Sequence, residues 1–185
     1  FATGCSALLA LVTGMLAIRR QGIYFAMITL AFSQMVFFFY LQMPFTGGED
    51  GIQSVPRGKL FGLFDLAENS AMYMFVLAIF LTGFALIWRI IHSPFGQILK
   101  AIRENQDRAI SLGYDTDLYK LIAFVISGAL AGTAGATKSL VFQLASLTDV
   151  HWSMSGEVVL MTLLGGLGTL FGPVVGAAVI VSMQN

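Results

Sequence analysis

The chain has 185 residues, of which 57% are hydrophobic and only 11% charged. A water-soluble domain carries roughly 25% charged residues, so this composition excludes an ordinary soluble globule and points to a membrane protein. Ten basic residues balance ten acidic ones, giving no electrostatic reason to expect a nucleic-acid partner, and a single cysteine, Cys5, excludes an internal disulfide framework.

A helix needs about 20 mainly apolar residues to cross a hydrocarbon core of roughly 30 Å, and the uncharged runs can be read on that scale. The first covers residues 1–18 and stops at Arg19 and Arg20. The second, residues 21–48, lies between Arg20 and Glu49, with Pro44 and the Thr-Gly-Gly at 46–48 predicting an end near Met43. Tyr24 and Thr29 are among its few polar groups and are candidates for a translocation path. Phe37, Phe38, Phe39 and Tyr40 read as lipid-facing bulk and interface anchors. A turn-rich loop over 44–70 carries Glu49 and Asp50, and a third run fills 69–88.

Charge then concentrates. Ser93 and Pro94 make a good N-cap and first helical residue, and Gly113 suits the position after a helix end, so one helix is predicted over 93–113. Lys100, Arg103, Glu104, Asp107, Arg108 and Ser111 recur on one face, with Ile98, Ala101, Ile102 and Ala109 opposite. Lys100 with Glu104, Arg103 with Asp107, and Glu104 with Arg108 are spaced as four-apart ion pairs, each adding about 0.2–0.5 kcal/mol to a helix. Spacing alone leaves two readings: a helix resting on lipid, or a docking helix for a partner. Mixed charge suits a protein groove better than an anionic bilayer.

The fourth run, 121–137, is glycine-rich, and Ser127, Gly128, Ala131, Gly132, Gly135 and Ala136 form a small-residue stripe that allows close helix packing. Packing within the chain is favoured over a partner interface or gate. The last run, 158–185, contains "GGLGTLFGP" at 165–173, where four glycines and Pro173 predict a break or re-entrant turn between about 164 and 173. Irregular backbone at membrane depth is tolerated where it is buried or lines water, which leaves Gly165, Gly166 and Gly168 either as candidates for a gate or path or as simple buried packing.

Orientation follows from the basic residues near the spans. With the first span ending inside, Arg19, Arg20, Arg89, Lys100, Arg103, Arg108 and Lys120 fall inside, and Arg57, Lys59 and Lys138 outside. The 93–113 segment is then cytoplasmic, and the 44–70 loop external. The expected fold class is an all-α polytopic integral membrane protein with about five transmembrane helices and a cytoplasmic helix.

Enzymatic signatures are missing. The Gly-Lys at 58–59 is followed by Leu60 and lacks the earlier glycine of a phosphate-binding loop. His92 and His151 have no metal-ligand spacing, and neither builds a catalytic triad with Cys5. No metal site, cofactor or catalytic residue is therefore expected in this chain. None of the five runs holds a charge in its interior, which disfavours a proton- or sodium-driven carrier.

Several segments together resemble one family: "GIYFAMITLAF" at 22–32, "TGGEDGI" at 46–52, "SPFGQILKAIREN" at 93–105, "GYDTDLYKLIAFVISGALAGTAGA" at 113–136 and "GGLGTLFGP" at 165–173. They are similar to the LivM family of branched-chain amino acid ABC transporter permeases. The run Asp107, Arg108, Ala109, three residues, then Gly113 resembles the Glu-Ala-Ala-x-x-x-Gly motif by which importer permeases present a coupling helix to their ATPases, with Asp for Glu and Arg for the first Ala.

The resemblance covers essentially the whole chain. It implies a multi-pass subunit of the bacterial inner membrane, cut from a longer permease at both ends. Its implied partners are a second, LivH-like permease, two ATPase subunits that use ATP and Mg, a periplasmic amino-acid-binding protein and membrane lipid. It implies an ATPase contact through Arg103, Glu104, Asp107, Arg108 and Gly113, and it sets Glu49 and Asp50 where the binding protein would dock, with a plain solvated connection also open for that loop. A permease for urea or short amides stays open within the same design. A secondary carrier, a channel or a non-transporting scaffold stays open outside it.

Overall fold

The computed structural model describes residues 1–20, 22–43, 51–53, 59–60, 64–65 and 69–184. The apolar runs fold as helices, since a backbone in hydrocarbon must satisfy its own donors and acceptors. In chain order these are α1 (Ala2–Ala17), α2 (Ile23–Gln42), α3 (Asn69–Ile91), α4 (Pro94–Glu104), α5 (Gln106–Ser111), α6 (Thr116–Phe142), α7 (Trp152–Gly165) and α8 (Gly172–Gln184). Strand content among the described residues is confined to two-residue pieces, such as Lys59–Leu60 paired antiparallel with Phe64–Asp65.

Three helices, α2, α3 and α6, are long and apolar enough to cross a membrane, at 20, 23 and 27 residues. The others are shorter: α1 has 16 residues, α7 14 and α8 13. The last apolar run thus forms two helices separated at 166–171, inside the range the glycines predicted. Several boundaries differ from expectation. Helix α6 extends past the predicted 121–137 at both ends and takes in Lys120 and Lys138, because long basic side chains can reach out of an apolar layer from a helix end. Helix α7 begins at Trp152, ahead of the uncharged run at 158, so Glu157 sits in its second turn.

The helices bury little of their large apolar surface against one another. Phe38, Phe80 and Leu81 are 56%, 50% and 56% exposed. A face of that kind needs an apolar surround, which for long helices is lipid. Hydroxyls within the apolar helices turn inward to their own backbone: Thr82 donates to the Ala78 carbonyl at 2.6 Å, and Thr137 to that of Thr133 at 2.8 Å.

The chain divides into two compact units: residues 1–29 with 53–145, and residues 30–52 with 146–185. In the first, α1 and α6 lie antiparallel along a seam of small residues. Gly14 sits beside Leu121 and Phe124, Ala10 beside Gly128, and Ser6 beside Gly132. The stripe predicted on the fourth run therefore packs within the chain at Gly128 and Gly132, while Gly135 faces open space. In the second unit α7 and α8 fold back on each other, with Gly165 against the Gly172 backbone and Gly176 against the Met161 carbonyl.

Candidate functional site

The charged segment between α3 and α6 is fixed by a series of caps. Ser93 accepts from the Gly96 N–H at 3.4 Å and donates its hydroxyl to the Ile90 carbonyl at 2.6 Å. Pro94 follows as the first helical residue. A side chain at Gly96 would lie 2.5 Å from the carbonyl oxygens of both Ile90 and Ile91, so glycine lets α4 start directly against the end of α3.

The single helix predicted over 93–113 is two helices. Asn105 is extended, at φ −156° and ψ 103°, and its side chain accepts from the Arg108 N–H at 3.1 Å, capping α5. An asparagine with Asp107 two residues later is a helix-start signal that the continuous amphipathic pattern concealed. The break also separates Arg103 from Asp107 and Glu104 from Arg108. Among the described residues no ion pair forms within these couples or between Lys100 and Glu104, leaving their charges turned to the surroundings.

Helix α5 closes with a Schellman motif. Gly113, at φ +87°, donates to the Ile110 carbonyl at 2.9 Å, and Tyr114 donates to that of Ala109 at 3.2 Å. Only glycine takes this left-handed position without strain. Asp115 then caps α6 by accepting from the Leu118 N–H at 3.2 Å.

The structure brings Arg103, Glu104, Asp107, Arg108 and Gly113 onto this one short segment, all exposed. Beneath them Ile102 and Ala109 are buried, at 7% and 2% exposure, whereas Ala101, expected on the same apolar stripe, is exposed. Phe95 stacks on Tyr119 with ring centres 5.6 Å apart. Gln106, which sequence reasoning missed, ties α5 to α6: its carbonyl accepts from Lys120 Nζ at 2.7 Å, and its amide donates to the buried Thr116 hydroxyl at 3.4 Å. No local pattern signals this link, because the partners lie 10 and 14 positions away.

Tyr24 is exposed in the first turn of α2, and the Thr29 hydroxyl donates to its own helix at Phe25 and Ala26, at 3.1 and 2.9 Å. Both belong to the first unit. Gly165, Gly166 and Gly168 cluster at the α7 to α8 turn of the second unit, where Gly166 and Gly168 both have φ +100°. Glu49 and Asp50 lie outside the described residues. Among the described residues no group of three His, Cys, Asp or Glu converges as a metal site.

Long outward-apolar helices joined by a capped, charged elbow define a polytopic α-helical membrane protein. The family model for branched-chain amino acid transport system permease components matches residues 1–185, and the chain belongs to that family. It is 29% identical to the high-affinity branched-chain amino acid transport permease protein LivM of Salmonella typhimurium, over 95% of this chain and 47% of that protein. Escherichia coli LivM is likewise 29% identical, over 91% of the chain and 45% of its own length. A probable branched-chain amino acid transport permease protein LivH of Methanocaldococcus jannaschii is 27% identical over 65% of this chain and 37% of its length. The chain thus spans about half the length of the LivM proteins it matches. No solved structure matches it.

Proposed function

We propose that this chain is the membrane-spanning core of a permease subunit in an ATP-driven importer that carries branched-chain amino acids across the bacterial inner membrane. The observation that carries the reading is the family match along the whole chain, together with an elbow whose charged residues Arg103, Glu104, Asp107 and Arg108 are exposed and form no ion pair with one another among the described residues. ATP and Mg act in two separate ATPase subunits, a second LivH-like permease completes the passage, and a periplasmic binding protein delivers the substrate. This chain contributes no catalysis.

The α4–α5 elbow serves as the coupling element, with Arg103, Glu104, Asp107 and Arg108 in contact with an ATPase and Gly113 closing the segment. Its build supports the role, because a displaced surface moves helices only when it is rigidly joined to them. Gly96 seats α4 on the end of α3, and Gln106 fastens α5 to α6. Movement of the ATPase pair then reaches α3 and α6 together. Tyr24 and Thr29 on α2 and the glycine turn at 165–168 remain the candidates for path and gate, and Glu49 and Asp50 for binding-protein docking.

Charge reversal at Glu104 and Asp107 together tests this in vesicles holding the complete transporter. Coupled uptake should fall at least about tenfold, since like-charge juxtaposition across an interface costs several kcal/mol, while membrane insertion stays intact. Unchanged uptake would remove the coupling role from this segment.

A further inference from the structure

Beside the elbow the first unit holds a recess of about 490 Å³ lined by Ile18, Arg20, Gly22, Phe25, Leu99, Gln106, Lys120, Ala123 and Phe124. Its wall is mostly apolar, its charged lining residues are Arg20 and Lys120, and among the described residues no Asp or Glu lines it. The Gln106 carbonyl takes one N–H of the Lys120 ammonium, which leaves two donors. The Arg20 guanidinium has no side-chain partner among the described residues. The recess also lies where α1 ends and α6 begins, so its basic residues sit at helix ends and its apolar wall continues along the helices. Uncompensated positive charge above an apolar slot matches a molecule with an anionic head and a hydrocarbon tail.

We infer that this recess binds the phosphate headgroup of an anionic phospholipid, with Arg20 and Lys120 holding the phosphate and Ile18, Phe25 and Phe124 contacting the upper acyl chain. Lys120 joins the headgroup to Gln106, so an occupied recess braces α5 against α6. The lipid then acts as a structural part of the elbow's mounting. This inference stands apart from the importer reading, because it needs only the recess, its charge and a bilayer.

The test uses the intact permease in neutral detergent, with native mass spectrometry reading retained lipid. Phosphatidylglycerol is compared with phosphatidylcholine of the same acyl chains, and inorganic phosphate serves as the competing soluble anion. Phosphatidylglycerol should be retained preferentially, with each cation contributing about fivefold, the effect expected of one Lys or Arg near an anionic surface.

Arg20→Gln with Lys120→Gln should abolish the preference, whereas Arg20→Lys with Lys120→Arg should keep it and Arg19→Gln should leave it unchanged. If the neutral double variant does not fold, single Arg20→Gln reads the same prediction as a fivefold loss. Equal retention of the two lipids, wild-type retention by the neutral variants, or displacement of the lipid by inorganic phosphate would each overturn the assignment.

Discussion

Two helix pairs in this protein rely on glycine, and they rely on it differently. Along α1 and α6, the space a side chain at Gly14, Gly128 or Gly132 would need is taken mainly by other side chains: Leu121 and Phe124, Ala10, and Ser6. Between α7 and α8, the space beside Gly165 and Gly176 is taken by backbone, of Gly172 in one case and Met161 in the other. A side chain can rotate or be replaced to admit a methyl group, but a helical carbonyl can move only with its helix. The first seam is therefore adjustable, while the second is set by main-chain contact.

That difference ranks the effects of adding a methyl group. Gly176→Ala should be the most damaging, since its Cβ would strike the Met161 carbonyl, and a loss at or beyond about 3 kcal/mol lies at the top of the range for overpacking. Thermal unfolding of the intact permease in detergent measures it, and no side-chain truncation on α7 should restore the loss. A rescue by such a truncation would break the comparison.

Gly132→Ala should cost less, about 1–3 kcal/mol, because it meets the Ser6 side chain. Pairing it with Ser6→Gly should recover much of that loss, a coupling that a double-mutant cycle reads directly. Additive losses would mean the α1 and α6 backbones, too, are in contact there.

The elbow supplies a smaller, local effect. Asn105→Ala removes the side-chain acceptor for the Arg108 N–H and should cost about 1 kcal/mol, as other N-cap truncations do. Faster hydrogen exchange confined to α5 is the expected signature. Equal acceleration in α4 would show that the two helices act as one, contrary to the break seen at Asn105.

These sites also show which features the sequence disclosed. The long uncharged runs and the glycine-rich turn were legible, because absence of charge and loss of helix-forming residues act locally. The cap at Ser93 and the helix end at Gly113 were legible for the same reason. The break at Asn105 was hidden, since residues on both sides follow one amphipathic pattern and a single cap overrides it. Gln106 and Gly96 were invisible because their meaning lies in residues that only the folded chain brings near. The start of α7 differs from the start of the last uncharged run at 158 because a carboxylate one or two turns inside a helix, as at Glu157, can still lie near its polar end.

Gly135 provides the smallest effect and the sharpest control. It belongs to the same sequence stripe as Gly128 and Gly132, three or four positions along α6, yet a Cβ there meets nothing within 4 Å. If stripe membership alone caused glycine dependence, Gly135→Ala would cost as much as Gly132→Ala. With contact as the cause, it should be neutral or stabilising by up to about 1 kcal/mol, the helix-propensity gain of alanine over glycine. Unfolding midpoints of the two variants, measured side by side in the intact permease, separate these accounts. A clear loss at Gly135 would mean that another helix covers this face of α6, and the adjustable seam would then extend to a second partner.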